Sequence, residues 1–200
     1  MRNVIFDLGG VVLDWNPQRV LSRFAPLEEA GPLKDAVFGH ADWQHFDRGT
    51  VNEHELLARL GRRIDRPPHE LSALVAAARE SLVEKPDTVA LLRSLQRQGT
   101  PLYCLSNMPS SFYVDLKTRH SFWDAFTGIV ISGEIQLLKP EPEVYRHLLE
   151  RFDLRAEESV FIDDLVANVE GARAVGLHGI VFQDAAQCGR ELQGLLATAA

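Results

Sequence analysis

The chain has 200 residues, of which 46% are hydrophobic and 24% charged, a balance typical of a globular domain rather than a disordered chain. This length suits one core domain with room for a small inserted module, and it can fold without disulfides or structural metals. The formal net charge of -7 disfavours a nucleic-acid partner, because phosphate backbones attract basic surfaces, whereas a local pocket can still be positive enough for a small anionic substrate.

Five apolar runs predict buried strands, each closed by turn-forming or polar residues. They cover residues 4–6, 101–105, 128–132, 159–162 and 178–182. Helical patterns at residues 88–98, 143–152 and 166–175 lie between them. Strands that alternate with helices predict an α/β fold with a mostly parallel, Rossmann-like sheet covered by helices on both faces.

The stretch from residue 15 to 86 shows no convincing strand. Its patterns predict helices at residues 17–24, 32–38, 53–60 and 68–82. We therefore expect a helical cap over residues 15–86, inserted into a catalytic core of residues 1–14 and 87–200. The aromatic residues of this block are expected to serve mainly as its core: Trp15, Phe38, Trp43 and Phe46.

Two cysteines, Cys104 and Cys188, suggest neither a disulfide framework nor a zinc site. Cys104 lies in an apolar run and is expected to be a small buried hydrophobe. A reducing, cytoplasmic setting fits best. Asp7 interrupts the first apolar run, which is too short for a signal peptide, and no run is long enough to cross a membrane. We expect a monomer.

Reactive side chains follow three of the predicted strands and one later loop: Asp7, Ser106 with Asn107, Asp163 with Asp164, and Lys139. Ligands of open parallel sheets bind beyond the carboxyl ends of the strands, so these groups are expected to meet at one edge. Converging carboxylates raise each other's pKa unless a cation is present, and oxygen ligands with open positions suit Mg²⁺.

This set of groups predicts phosphoryl transfer. Mg²⁺ would neutralise phosphate charge, so that the Asp7 carboxylate can attack phosphorus and form an aspartyl-phosphate. Ser106 and Asn107 are expected to donate hydrogen bonds to the phosphoryl oxygens. Lys139 would add positive charge where negative charge accumulates.

Four segments in this order resemble the motifs of the haloacid dehalogenase-like superfamily: Asp7 to Val12 (DLGGVV), Leu105 to Asn107 (LSN), Lys139-Pro140, and Phe161 to Asn168 (FIDDLVAN). The resemblance extends over essentially the whole chain, including the helical cap. Within the superfamily, the DLG opening, the run from Asp47 to Gly49 and the DDxxxN spacing resemble the bacterial α-D-glucose-1-phosphate phosphatases. The N-terminal phosphatase domain of soluble epoxide hydrolase is similar but further away.

The resemblance implies a role for each matching residue. Asp7 would be the nucleophile and a metal ligand, with the Gly9 carbonyl and the Asp164 carboxylate as further Mg²⁺ ligands. Asp163 would hold metal-bound water or orient its loop, and Asn168 would support that loop. The implied substrate is a small phosphate ester, with a sugar phosphate such as glucose 1-phosphate as the first candidate.

Gly9 departs from the pattern of many family phosphatases, which carry a second aspartate there as general acid and base. Such proton transfer typically contributes roughly 10²–10⁴-fold, and glycine cannot supply it. Two hypotheses follow. The substrate has a good leaving group, such as an anomeric sugar phosphate or an acyl phosphate, or the cap supplies the acid, with Asp47 and His45 as candidates.

Two other functions stay open. A 2-haloacid dehalogenase would use the same aspartate, serine-asparagine pair and lysine to attack carbon without a metal, but Asp163 and Asp164 favour magnesium and phosphate. A non-catalytic phosphate-binding or phospho-acceptor relative is the other alternative. A receiver domain clusters similar groups, but it is shorter, has no helical insert and carries its acidic pair at the first strand.

Overall fold

A computed structural model describes residues 2–197. Its strands are β1 (Asn3–Phe6), β2 (Leu13–Asp14), β3 (Val83–Glu84), β4 (Leu102–Ser106), β5 (Gly128–Ile131), β6 (Ser159–Asp163) and β7 (His178–Val181). Five of them form a parallel sheet in the order β5-β4-β1-β6-β7. These are the five predicted strands, and the α/β fold class is confirmed.

The helices surround this sheet and fill the long stretch between β2 and β3. They are α1 (Pro17–Leu21), α2 (Leu27–Val37), α3 (Ala41–Arg48), α4 (Glu53–Arg63), α5 (Pro68–Glu80), α6 (Pro86–Arg97), α7 (Ser110–Arg119), α8 (Ser132–Ile135), α9 (Pro142–Arg151), α10 (Val166–Ala174) and α11 (Ala185–Ala197). The predicted helices correspond to α1, α2, α4, α5, α6, α9 and α10. The sequence patterns did not predict α3, α7, α8 or α11.

Helix α2 begins earlier than predicted. The prediction placed its start at Pro32, because proline favours the first turn of a helix. The structure starts it at Leu27 and has Pro32 inside the helix. Glu28 and Glu29 lie in the true first turn, where negative side chains interact favourably with the helix dipole.

The parallel sheet separates two apolar layers, because successive side chains of a strand point to opposite faces. Val4 and Phe6 of β1 belong to the larger layer, which includes the helices between β2 and β3 together with α6, α7 and α11. Ile5 belongs to the smaller layer, packed against α9 and α10. Both faces of β1 are therefore buried, and its carboxyl end is fixed at the edge of the sheet.

A short antiparallel pair connects the helical block to the sheet. Leu13–Asp14 pairs with Val83–Glu84, and the Lys85 N–H donates to the Val12 carbonyl at 2.9 Å. The expectation of no strand within residues 15–86 is thus wrong for β3, since two-residue strands carry no readable periodicity. The division of the chain at residues 14 and 87 stays a prediction.

Cys104 and Cys188 are both buried and unpaired in the part of the chain that the structure describes, as the sequence predicted for Cys104. None of the helices within residues 2–197 combines the length and the apolar character needed to cross a bilayer.

Candidate active site

Three neighbouring strands place polar side chains at one edge of the sheet. Asp7 directly follows β1, while Ser106 and Asp163 are the last residues of β4 and β6, the two strands that flank β1. The Asp7 N–H donates to the Ile162 carbonyl at 2.9 Å, which extends the β1–β6 pairing by one residue. The predicted convergence of these strand ends is present.

Lys139 lies between two of these carboxylates. Its Nζ is 2.6 Å from Asp7 Oδ1 and 2.7 Å from Asp163 Oδ2, and the whole side chain is 1% exposed. Burial alone would lower the pKa of Lys139, but the negative charges of Asp7 and Asp163 outweigh it and raise that pKa. The ammonium group therefore stays protonated over the physiological range and fixes Asp7 relative to Asp163.

Asp163 is a fully buried acceptor whose oxygens are already engaged. Oδ1 accepts from the Leu165 N–H at 2.8 Å, and the Asn168 Nδ2 lies 3.1 and 3.0 Å from the two oxygens. Tyr145 of α9 donates from its hydroxyl to the Asn168 carbonyl at 2.7 Å. These contacts orient the loop after β6 and leave the neighbouring Asp164 exposed.

Asn107 holds the loop that carries Lys139. Its Oδ1 accepts from the Lys139 N–H at 2.9 Å, and its Nδ2 donates to the Lys139 carbonyl at 3.0 Å. The sequence predicted a hydrogen bond from Asn107 to phosphate. One hydrogen of its amide is taken by this contact, which leaves the second hydrogen for such a bond. Ser106 is buried beside it and lines a cavity above the strand ends.

Three carboxylates form a cluster that suits a metal ion. One oxygen from each of Asp7, Asp163 and Asp164 lies within 4.8 Å of the others. Burial raises the pKa of Asp7, opposed by Lys139 and reinforced by the negative charges of Asp163 and Asp164. Burial and the charge of Asp163 likewise raise the pKa of Asp164. A divalent cation would relieve this repulsion, and the hard oxygen donors fit Mg²⁺.

The glycines after Asp7 allow this close packing. Gly10 has a φ of +79°, which favours glycine, and a Cβ there would collide with the Asp164 carboxylate. Gly9, whose carbonyl is the predicted metal ligand, lies in the cavity wall, where a Cβ would be in ordinary contact with Trp15 at 3.7 Å.

Lys85 is a site residue that the sequence analysis missed. Its Nζ donates to the Gly10 carbonyl at 2.8 Å, and it lies 4.8 Å from the centroid of the Phe182 ring. Lys85 therefore connects the end of the antiparallel β2–β3 pair to the loop that follows Asp7. Its place directly before Pro86 gave no motif that could have revealed this contact.

Helix α3 brings Asp47 over the strand ends. Gly49 caps the C-terminus of this helix with a φ of +79°, and a Cβ there would collide with the Gly133 backbone. Ser132 Oγ donates to the Asp47 carbonyl at 2.6 Å. The Asp47 side chain lines the cavity, and burial raises the pKa of its carboxyl group well above the ordinary value. His45 is exposed and lies 3.2 Å from Thr50 Oγ1.

A cavity of about 400 Å³ lies above the strand ends. Its wall contains these predicted residues: Asp7, Gly9, Ser106, Asn107, Lys139, Asp164 and Asn168. Asp163 lies beneath them. The helical block contributes Trp15, Pro17, Lys34 and Asp47, and Leu165 completes the wall. The space is therefore bounded by the carboxylate cluster on one side and by α2 and α3 on the other.

Comparisons with known proteins agree with this architecture. Residues 1–176 match the family of hydrolases described as haloacid dehalogenase-like hydrolase. The chain is 32% identical to the sesquiterpene phosphatase of Aspergillus oryzae, covering 96% of this chain and 95% of that protein. It is 28% identical to the ribulose-1,5-bisphosphate 5-phosphatase of Halopiger xanaduensis, covering 90% of this chain and 83% of that protein.

The fold is also similar to that of a solved haloacid dehalogenase family enzyme from Bacteroides thetaiotaomicron, in complex with magnesium and inorganic phosphate. The TM-score is 0.74 at 21% identity, and the alignment covers 92% of this chain and 94% of the other.

Proposed function

Because this chain belongs to the haloacid dehalogenase-like hydrolase family, we propose that it is a magnesium-dependent phosphohydrolase that uses Asp7 to remove phosphate from a small metabolite. The observation that carries the proposal is the placement of Asp7 at a cavity wall, 2.6 Å from the buried Lys139 and within the carboxylate cluster. The matches to two phosphatases support the same reaction class.

Mg²⁺ would be held by Asp7, Asp164 and the Gly9 carbonyl, and it would supply positive charge beside the substrate phosphate. The Asp7 carboxylate attacks phosphorus, and the bond from phosphorus to the leaving-group oxygen breaks. Lys139 keeps Asp7 in place and adds positive charge near the phosphoryl oxygens, to which Ser106 and the second amide hydrogen of Asn107 donate. Water then hydrolyses the aspartyl-phosphate and regenerates Asp7.

Asp47 is the proposed proton donor to the leaving-group oxygen. It lines the same cavity as Asp7, and its raised pKa keeps part of it protonated at a higher pH than an exposed carboxyl group. This supports the second of the two hypotheses for the missing aspartate at position 9. Of its two candidates, Asp47 is favoured over the exposed His45.

The narrower predictions rest on the sequence motifs. A sugar phosphate such as glucose 1-phosphate, a monomeric state and a cytoplasmic location stay predictions. The two phosphatase relatives act on chemically different substrates by name, so they support the reaction and leave the leaving group open. The carboxylate cluster favours phosphate chemistry with a metal over the metal-free dehalogenase reaction.

The test is phosphate release from p-nitrophenyl phosphate with Mg²⁺ or with EDTA. We expect turnover that EDTA abolishes and that Asp7→Asn reduces by at least about 10³-fold, because the nucleophilic charge is lost. Asp124→Asn, at a carboxylate that is 71% exposed, is the matched control and should behave as the unmodified protein. Turnover that survives EDTA would overturn the magnesium dependence, and chloride release from 2-chloropropionate would instead favour the dehalogenase reaction.

If p-nitrophenyl phosphate is not hydrolysed at all while inorganic phosphate still binds, the non-catalytic alternative is correct. Retained turnover in Asp7→Asn would also overturn the proposal, since no other residue has been assigned the nucleophilic role.

A further inference from the structure

A second, smaller cavity of about 80 Å³ adjoins the one above the strand ends. The two cavities share five wall residues: Gly9, Trp15, Asp47, Ser106 and Asn107. The smaller cavity is therefore an extension that begins where the phosphate and its leaving-group oxygen would lie. We call it the side cavity.

Apolar side chains make up the rest of the side-cavity wall: Trp43, Leu82, Met108, Pro109 and Phe112. All five are buried. They come from both parts of the chain, since Trp43 belongs to α3 and Phe112 to α7, and Leu82 precedes β3. The wall thus forms only when the helical block sits on the sheet.

An aromatic cluster packs around this wall. Trp43 stacks near Trp15 with ring centroids 6.5 Å apart, and it meets Phe112 edge-on at 6.4 Å. Phe38 and Phe46 contact Trp43 at 4.6 and 5.7 Å. Such contacts add to the packing energy of each ring. Trp15 and Trp43, which were expected to be core, therefore also bound a cavity.

Few polar groups face the side cavity. Asp47, Ser106 and Asn107 stand at its junction with the larger cavity, where the phosphate and the leaving-group oxygen would use them. Apart from two indole N–H groups, the side chains beyond that junction carry no strong hydrogen-bonding atom. A sugar would lose the water bound to its hydroxyls there and find few side-chain partners in return, and unmade hydrogen bonds are costly.

We propose that the side cavity binds an apolar leaving group, so that the substrate is the phosphate monoester of a small hydrocarbon-like alcohol. This rests on the proposed phosphatase function and replaces the sugar phosphate as the expected substrate. The phosphate lies at the carboxylate cluster, and the first carbons of the alcohol extend past Asp47 between Trp15, Trp43 and Phe112. The mouth of the larger cavity is also apolar at Leu165, which is 57% exposed.

The first test is kcat/KM for n-alkyl phosphates from methyl to hexyl, beside glucose 1-phosphate and p-nitrophenyl phosphate. The alcohols of this series have nearly equal acidity, so their intrinsic reactivity is constant and only burial changes. Each methylene that enters the side cavity should raise kcat/KM about fourfold until the cavity is full. Glucose 1-phosphate should fall below hexyl phosphate.

A binding measurement gives the same answer without turnover. Hexylphosphonate should bind at least about tenfold more tightly than methylphosphonate. The change in tryptophan fluorescence, to which Trp15 and Trp43 in the cavity wall contribute, measures both dissociation constants. Equal dissociation constants would overturn the proposal.

Met108→Gln is the diagnostic variant, because it keeps the side-chain length and adds a polar amide to the side-cavity wall. In this variant, the increase in kcat/KM for each added methylene of the alkyl phosphate should fall below about twofold. Val114→Gln is the matched control, since Val114 lies on α7 with 64% exposure and should keep the full gain. If Met108→Gln does not fold, the alkyl and phosphonate series on the unmodified protein decide the question.

The outcomes distinguish a wrong leaving group from a wrong reaction. A flat alkyl series, or preferred turnover of glucose 1-phosphate, in a protein that hydrolyses p-nitrophenyl phosphate overturns the apolar leaving group and leaves the phosphatase assignment intact. A protein that hydrolyses none of these esters overturns the proposed function, and this inference with it.

Discussion

The guanidinium of Arg48 donates hydrogen bonds to both carboxylate oxygens of Glu141, one of them at 3.0 Å. Arg48 Nη1, which makes the 3.0 Å bond to Glu141, also donates to the Gln136 carbonyl at 3.0 Å. Arg48 follows Asp47 on α3, and Glu141 lies two residues after Lys139. This pair therefore connects the helix that carries the proposed acid to the loop that carries the buried lysine.

Separate removal of the two partners should show that they interact. Arg48→Met and Glu141→Gln should each lower the free energy of unfolding. The double variant should lose about 1 kcal/mol less than the sum of the two single losses, because the pair is charge-assisted but partly exposed. Urea denaturation of the four proteins measures this coupling. Strictly additive losses would mean that the pair contributes nothing to holding α3 on the sheet.

Lys139→Met should destabilise the fold by about 3 kcal/mol at pH 8, because two buried carboxylates lose their cation. The loss should shrink as the pH falls, since burial raises the pKa of Asp7 and its protonation removes a negative charge that Lys139 neutralises. Chemical denaturation at pH 5 and pH 8 measures this difference. Lys34→Met, at an exposed lysine, is the control and should change stability by less than about 0.5 kcal/mol. An equal loss at both pH values would contradict the electrostatic explanation.

Asp47→Asn should reduce kcat/KM for alkyl phosphates by about 10²-fold or more, and far less for p-nitrophenyl phosphate, whose leaving group needs no proton. A general acid must be protonated, so alkyl phosphate turnover in the unmodified protein should fall as pH rises through the pKa of Asp47. Its raised pKa moves this fall to higher pH than for an ordinary aspartate. The variant should lack this fall.

His45→Asn is the matched control for that experiment, because His45 lies two residues away on α3 and is exposed. Its pH profile should match that of the unmodified protein. The opposite pattern, with His45→Asn losing the fall in turnover and Asp47→Asn keeping it, would reverse the assignment of the acid.

Gly9→Asp should restore part of the activity that Asp47→Asn loses. A Cβ at position 9 meets Trp15 only at ordinary contact distance, so a side chain can start there without a backbone collision. We expect at least about a tenfold gain in kcat/KM for alkyl phosphates over Asp47→Asn alone. Gly10→Ala is the contrasting variant, and it should be poorly active because of its positive φ and its collision with Asp164. No gain from Gly9→Asp would show that position 9 cannot reach the leaving-group oxygen.

Local sequence patterns were sufficient for the sheet and for the residues at its edge. Apolar runs that stop at Asp7, Ser106 and Asp163 predicted three strand ends that the structure brings together. Helix α3 escaped prediction because it is short and its N-cap is His40, whose ring accepts from the Asp42 N–H in place of a common capping residue. The sequence consequently left Asp47 and His45 as equal candidates for the general acid. On a helix, residues two positions apart point in directions that differ by about 200°, so only one of the two can face the cavity.

The sequence by itself determined which chemical groups end the strands, because that information is local: an apolar run followed by a carboxylate or a hydroxyl. Only the tertiary structure decided that Lys139 bridges Asp7 and Asp163, that Asn107 holds the Lys139 backbone, and that Trp43 and Phe112 form one cavity wall. These contacts join residues far apart in the chain. They follow from the strand register and from how the helical block packs on the sheet, which no local pattern encodes.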